Sequence, residues 1–220
     1  MPRRPTLTTD LVIEAAVRVA DAGGLAQVSM RNVGTELGVE AMSLYHHVAN
    51  KEALVDELAN WVFAQIELPT PGAKWRTALA ARQASARATI AAHPWALGIM
   101  ESRRNPGEAL LLHHEAVLAC LRTNGFSVTL AAHAYSVLDA YVYGFVLTEL
   151  NLPFADGESA EDFVDEIGHL LPVDQFPHMN EFIHEQVRGR DYSLGTEFDY
   201  GLELILDGLE RRLRAERRDR

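Results

Sequence analysis

Between Thr35 and Leu54 the chain reads TELGVEAMSLYHHVANKEAL. Its branched apolar residues before the Asn50 cap are Leu37, Val39, Leu44 and Val48, while Ser43, Tyr45, His46, His47 and Lys51 lie close together among and after them. A short helix, a glycine-containing turn and a second short helix form the helix-turn-helix arrangement. Gly38 can take the left-handed conformation needed to leave the first helix, and Gly34, without a side chain, lets the two helices approach. With Leu44 and Val48 turned inward, a helix over Glu40–His47 leaves Ala41, Met42, Ser43, Tyr45, His46 and His47 around its outer part. Such a helix fits a DNA major groove, where Ser and His hydrogen-bond base edges and Met or Ala touches a thymine methyl. Lys51 and the backbone N–H groups after Asn50 are placed to take a phosphate. Helix pairs with glycine turns also serve as plain packing in all-α proteins, so the pattern alone admits either reading.

Outward from this stretch the chain is helical almost throughout. Leu11, Val12, Ala15, Ala16, Val19 and Ala20 form a stripe at helical spacing, with Thr8 or Thr9 as N-cap and Ala22–Gly24 as the stop. Ser29 can cap a second helix over Met30–Leu37, and Asn50 a fourth, with Glu52 in its first turn suiting the helix dipole. That fourth helix carries Leu54, Val55, Leu58, Val62, Phe63 and Ile66 before LPTPG, Leu68 to Gly72, breaks it. The break divides the chain into a small helical unit, 1–67, and a larger one, 68–220. In the larger unit the periodicity predicts helices over 74–93, 106–124, 127–150, 160–171, 180–188 and 196–217. Alternating strand patterns are absent, so the fold class is all-α: an N-terminal three-helix helix-turn-helix domain plus a larger helical domain.

Bulk properties narrow the function. A chain of 220 residues, 48% apolar and 23% charged, can bury a substantial core. A single cysteine, Cys120, excludes a disulfide framework and makes reduced cytoplasmic life the default. The basic start MPRRPTLTTDL leads into an amphipathic pattern rather than a secretory signal. Val128–Leu147 is long enough to span a membrane, but Asp139 near its centre would cost about 2.5–3.5 kcal/mol there. A buried core helix is the cheaper explanation, and no membrane partner is expected. The net charge of −11 argues against a whole-protein grip on nucleic acid, and residues 1–66 carry five Lys/Arg against eight Asp/Glu. Phosphate contact depends instead on where the few positive groups point.

The run from about Thr9 to Ile66 resembles the DNA-binding domain of the tetracycline-repressor (TetR) family of bacterial transcription regulators. The resemblance is carried by SMRNVGTELGV for the second helix, EAMSLYHHV for the recognition helix and ANKEAL opening the fourth. It implies that Arg31, Ala41, Met42, Ser43, Tyr45, His46 and His47 face the groove or backbone of double-stranded DNA, with Lys51 on a phosphate. The basic arm PRRP in front adds to it. Tetracycline repressor itself has polar or rigid residues where this chain has Ala41 and Met42, so a different operator is implied.

The match over the larger domain is looser, resting on WR near its start, HPW after the first long helix and LDAYVYGFVLTEL in the middle. The resemblance implies a homodimer with a small-molecule pocket. On a helical wheel Phe198, Gly201, Leu202, Ile205 and Leu209 belong to an arc wider than one core-facing stripe needs, so part of it can bury against a second copy. Trp95, Met100, His114, Tyr135, Asp139 and Tyr143 are candidate effector contacts, an aromatic set with a few polar groups. Asp139 stands out because a carboxylate in so apolar a helix needs a partner, which can be another side chain. Adjacent His113 and His114 point apart, and Glu181 with His184 is at most a half-site, so no metal and no cofactor is expected. No dinucleotide-binding, P-loop, serine-hydrolase or zinc-protease motif occurs. The reading is a ligand-responsive repressor that binds a palindromic operator as a homodimer. A helical ligand-binding dimer without DNA binding and an all-α enzyme are the alternatives.

Overall fold

The computed structural model describes residues 6–100, 107–153, 159–190 and 192–218; the arm PRRP lies outside them. Ten α-helices and no strand occur among the described residues. Helix α1 (Thr9–Gly23) begins where the Thr8 hydroxyl accepts the Leu11 N–H at 3.3 Å. Helices α2 (Met30–Leu37) and α3 (Ala41–Leu44) follow, then α4 (Lys51–Gln65), capped by Asn50 Oδ1 accepting the Ala53 N–H at 2.9 Å. At α1, α2 and α4 a side-chain acceptor takes an otherwise orphaned amide, as short polar residues before an apolar run predict, whereas Glu40 before α3 makes no such bond.

The larger unit consists of α5 (Trp75–Ala92), a 3-10 turn at Pro94–Gly98, α6 (Glu108–Thr123), α7 (Val128–Leu150), α8 (Ala160–Ile167), α9 (Pro177–Phe182) and α10 (Leu194–Arg218). The helix expected over 180–188 is instead α9 followed by a wider π-type turn at Ile183–Val187. Pro177 starts α9 early because its fixed φ and missing N–H suit a first helical position. Helix α7 is the apolar segment whose length matches a membrane span. Here it packs against α5, α6 and α10, burying Leu130, Ala134, Leu138, Val142 and Val146.

One apolar core runs from Val12 to Leu213 without interruption. Helix α4 bridges the two units: Leu54 and Leu58 serve the N-terminal trihelical packing, and α4 then runs against α6. On the far side, Arg87 of α5 ties α7 to α10. Its guanidinium bonds Glu149 at 3.1 Å and the Gly195 carbonyl at 3.2 Å, and lies 4.9 Å from the Phe198 ring centre. Its pKa is raised, first by the hydrogen bond to Glu149.

Candidate nucleic-acid interface and effector core

The turn of the helix-turn-helix is built as the glycines require. Ser29 Oγ accepts the Asn32 N–H at 3.1 Å, and the Asn32 side chain donates to the Gln27 carbonyl at 2.7 Å, fixing the entry to α2. Gly38 sits at φ +66°, ψ +34°, and the next amide, Val39 N–H, returns to the Gly34 carbonyl at 2.9 Å. A Cβ on Gly34 would stand 2.9 Å from the Val39 carbonyl oxygen, so the turn and α3 lie directly on the α2 backbone.

Helix α3 is shorter than expected over Glu40–His47. Glu40 is its N-cap, regular helix ends at Leu44, and Tyr45–His47 form a turn in which the Leu44 carbonyl accepts both the His47 and Val48 amides at 2.9 Å. That shared acceptor tightens the chain so that Val48, 4% exposed, re-enters the core beside fully buried Leu44. The outward side chains remain: Met42 is 74% and Tyr45 46% exposed, His46 is exposed, and Ala41, Ser43 and His47 are half-buried. Arg31 on α2 and Lys51 at the first position of α4 are exposed on either side. Together these side chains make a ridge of hydrogen-bonding and apolar tips with cations at its flanks, suited to base edges within a phosphate frame.

The six candidate effector contacts have different partners within the chain. The Trp95 indole N–H donates to Asp21 Oδ1 at 2.7 Å, toward α1, and Met100 is core at 2% exposure. His114 pairs with Tyr135: the rings stack at 4.6 Å, and Tyr135 Oη lies 2.7 Å from His114 Nε2. His114 Nδ1 donates to the Leu110 carbonyl at 2.9 Å, which orients the ring toward the tyrosine. Tyr143 is half-buried on α7. Asp139 finds its partner in the protein, Arg82 Nη1 at 2.7 Å.

That ion pair marks a polar core the residue pattern missed. Arg82, Gln83, His113 and Asp139 are 2%, 0%, 2% and 6% exposed. Arg82 Nε, both amide atoms of Gln83, His113 Nδ1 and Asp139 Oδ2 have no hydrogen-bond partner. Such atoms each cost about 1–3 kcal/mol when left unmatched, so the cluster carries unused donors and acceptors. The signal was present: Arg82 and Gln83 continue the buried face of α5 set by Trp75, Ala78, Leu79, Ala86 and Ile90. His113 and His114 diverge, the former toward Phe63 and the latter toward Tyr135.

His113 is held neutral, its pKa lowered first by burial and then by the Arg82 charge. The unfolded chain therefore takes up a proton at His113 before the folded one does. Stability is complete above the ordinary histidine pKa, about 6.5, and falls as pH drops below it. His113→Gln is expected to flatten this slope in urea titrations below about pH 6.5.

The expected dimer residues are also redistributed. Phe198, Leu202 and Leu209 are buried within their own chain, Ile205 is half-buried, and Gly201 is a glycine because a Cβ would strike the Tyr141 hydroxyl. These five positions thus belong largely to the inward side of α10. The outward side carries Tyr200 and Leu204, and α7 adds Val137 and Leu147, all exposed.

A DNA-facing helix-turn-helix set on a helical body with a polar core is the architecture of a ligand-gated DNA-binding protein. Two family models match this chain: "Bacterial regulatory proteins, tetR family" over residues 12–58 and "Tetracyclin repressor-like, C-terminal domain" over residues 68–213. The chain is 35% identical over 216 residues to the HTH-type transcriptional repressor DrrR1 of Streptomyces coeruleorubidus, covering 94% of this chain and 78% of that protein. It is 28% identical over 215 residues to the class D tetracycline repressor protein of Escherichia coli, covering 95% and 92%. The crystal structure of the Streptomyces coelicolor TetR family protein ActR in complex with actinorhodin superposes with a TM-score of 0.73 at 29% identity, covering 94% and 99%. The chain belongs to the tetracycline repressor family. It is a ligand-responsive DNA-binding transcriptional regulator.

Proposed function

We propose that this protein is a cytoplasmic homodimeric repressor that holds a palindromic DNA operator and releases it when a small polar effector enters the domain 68–220. The observation that carries the reading is the ridge of Met42, Ser43, Tyr45, His46 and His47, raised on buried Leu44 and Val48 and flanked by Arg31 and Lys51. Two such ridges reach successive major grooves when they lie about 34–36 Å apart.

The outer faces of α7 and α10 support pairing with a second copy. They expose Val137, Leu147, Tyr200 and Leu204, and Val137 with Leu209 lines a groove of about 770 Å³ between the two helices. Mid-helix Gly144 and Gly208 have nothing within 4 Å of a would-be Cβ. Glycine inside a helix costs about 1 kcal/mol against alanine, and close approach of another helix offsets that cost. The effector meets Arg82, Gln83, His113 and Asp139. Because the buried Arg82–Asp139 pair is self-neutralising, an uncharged hydrogen-bonding guest fits it best. Effector binding releases DNA only through unequal affinity for the two dimer geometries. No catalytic role is assigned.

Selection of duplexes from a random pool tests the reading. Recovery of a palindrome supports it, and recovery of nothing at low salt overturns it. With the selected operator in hand, Lys51→Ala is expected to weaken all duplexes alike and shrink the salt slope by about 1. Ser43→Ala and His46→Ala are expected to change which bases are preferred, by about 1–3 kcal/mol at the position read. Equal effects on specific and random DNA would remove Ser43 and His46 from base reading.

A further inference from the structure

Among the described residues, one side chain of α1 and one of α4 tether the N-terminal domain to the larger one, away from the DNA-facing ridge. Asp21, on α1, presents Oδ1 to two donors from the 3-10 turn region beyond α5: Trp95 Nε1 at 2.7 Å and His93 Nδ1 at 2.7 Å. The His93 ring is itself gripped, edge-on to Trp61 of α4 at 5.0 Å and against Trp95 at 5.8 Å. Asn60, on α4, presents Oδ1 to the Ala109 N–H at the start of α6, 2.8 Å away. The residue before α6, Gly107, supplies no side-chain cap, so α6 takes its cap from another helix. A Cβ at Gly107 would lie within 2.4–2.8 Å of the Asn60 side chain, which keeps that approach close.

A rigid body held at one point can still swing. Held on α1 and on α4 at once, the helix-turn-helix has a fixed pitch relative to the domain that pairs the subunits. One tether ends on His93 and Trp95, in the turn after α5, and the other on Ala109 in the first turn of α6. We infer that Asp21 is a positioning residue for operator recognition, setting the separation of the two recognition helices without contacting DNA. The inference rests on the proposed dimer and palindromic operator. Hydrogen bonds to a carboxylate are among the stronger ones, so loss of both is expected to relax spacing discrimination on the order of tenfold.

The test measures binding to the selected operator and to versions lengthened or shortened by one or two base pairs between half-sites. Each added pair shifts a half-site along and around the duplex, with a full turn taking about 10–10.5 base pairs. The intact protein should prefer its own spacing. Asp21→Ala should bind altered spacings with about tenfold less penalty, while its salt dependence on random DNA stays unchanged. Asp21→Asn keeps an oxygen acceptor for both donors and should retain the discrimination, a rescue that a merely structural role would not give. Trp95→Phe removes a single donor and should relax it partly, which gives a second reading if Asp21→Ala proves poorly folded by circular dichroism. Equal spacing profiles for the intact protein, Asp21→Ala and Trp95→Phe would overturn the inference. An intact protein with no spacing preference would instead overturn the dimer–operator reading beneath it.

Discussion

Replacing Arg82 with alanine is expected to destabilise the fold by about 3–5 kcal/mol, because Asp139 would stay behind as an uncompensated buried charge. The pair lies 2.7 Å apart between α5 and α7, with side chains only 2% and 8% exposed. Coulomb attraction in this setting is large, but so is the cost of desolvating both ions, so the pair as a whole need not stabilise the protein. Hence the asymmetry: removing one partner is costly, whereas removing both with apolar groups of similar volume is tolerated. Arg82→Met with Asp139→Leu is therefore expected to recover most of the loss and can exceed the natural stability. Urea unfolding at fixed protein concentration measures the singles and the double, since pairing of subunits makes stability concentration-dependent. The double variant also separates stability from response, because it takes away the polar core proposed to meet the effector. Additive losses in the two single variants, with no recovery in the double, would show that the ions do not act as a pair.

The parts of this fold readable from the residues are those decided locally. Thr8, Ser29 and Asn50 cap their helices because a short polar side chain before an apolar run has one obvious job. Gly38 takes positive φ for the same kind of reason. The end of α3 was not readable, since it depends on Leu44 giving its carbonyl to two amides so that Val48 can reach the core. Nor was the Arg82–Asp139 pair, whose members stand 57 residues apart and meet only once α5 lies against α7. In the larger domain the aromatic content does not announce its partners: the Trp95 indole N–H is committed to Asp21, and His114 pairs with Tyr135. On α10 the width of the apolar arc was real, but it is filled largely from within, with Gly201 making room for Tyr141.

Leu44→Ala is expected to abolish specific operator binding while leaving the larger domain folded. Leu44 is fully buried, packed in the same core as Val33, Val48, Leu54 and Leu58. Truncating a buried leucine to alanine costs about 2–5 kcal/mol, the lost transfer energy plus the cavity left behind. That loss falls on an element with little else to hold it: α3 has four residues, and its N-cap Glu40 makes no side-chain capping bond. Local opening of α3 then needs only the remaining contacts of Val48 and the turn, so the ridge of Met42, Tyr45 and His46 loses its fixed geometry before the α5–α7–α10 packing is disturbed. Hydrogen exchange should accordingly rise at residues 41–48 while the amides of α7 keep their protection. Non-specific binding at low salt should survive, because Arg31 and Lys51 sit on α2 and α4 rather than on the loosened segment. Met42→Ala makes the matching control: Met42 is 74% exposed, so its removal leaves the anchor intact and should alter base preference without raising exchange. If Leu44→Ala kept full operator affinity, the recognition surface would have to lie elsewhere on the molecule.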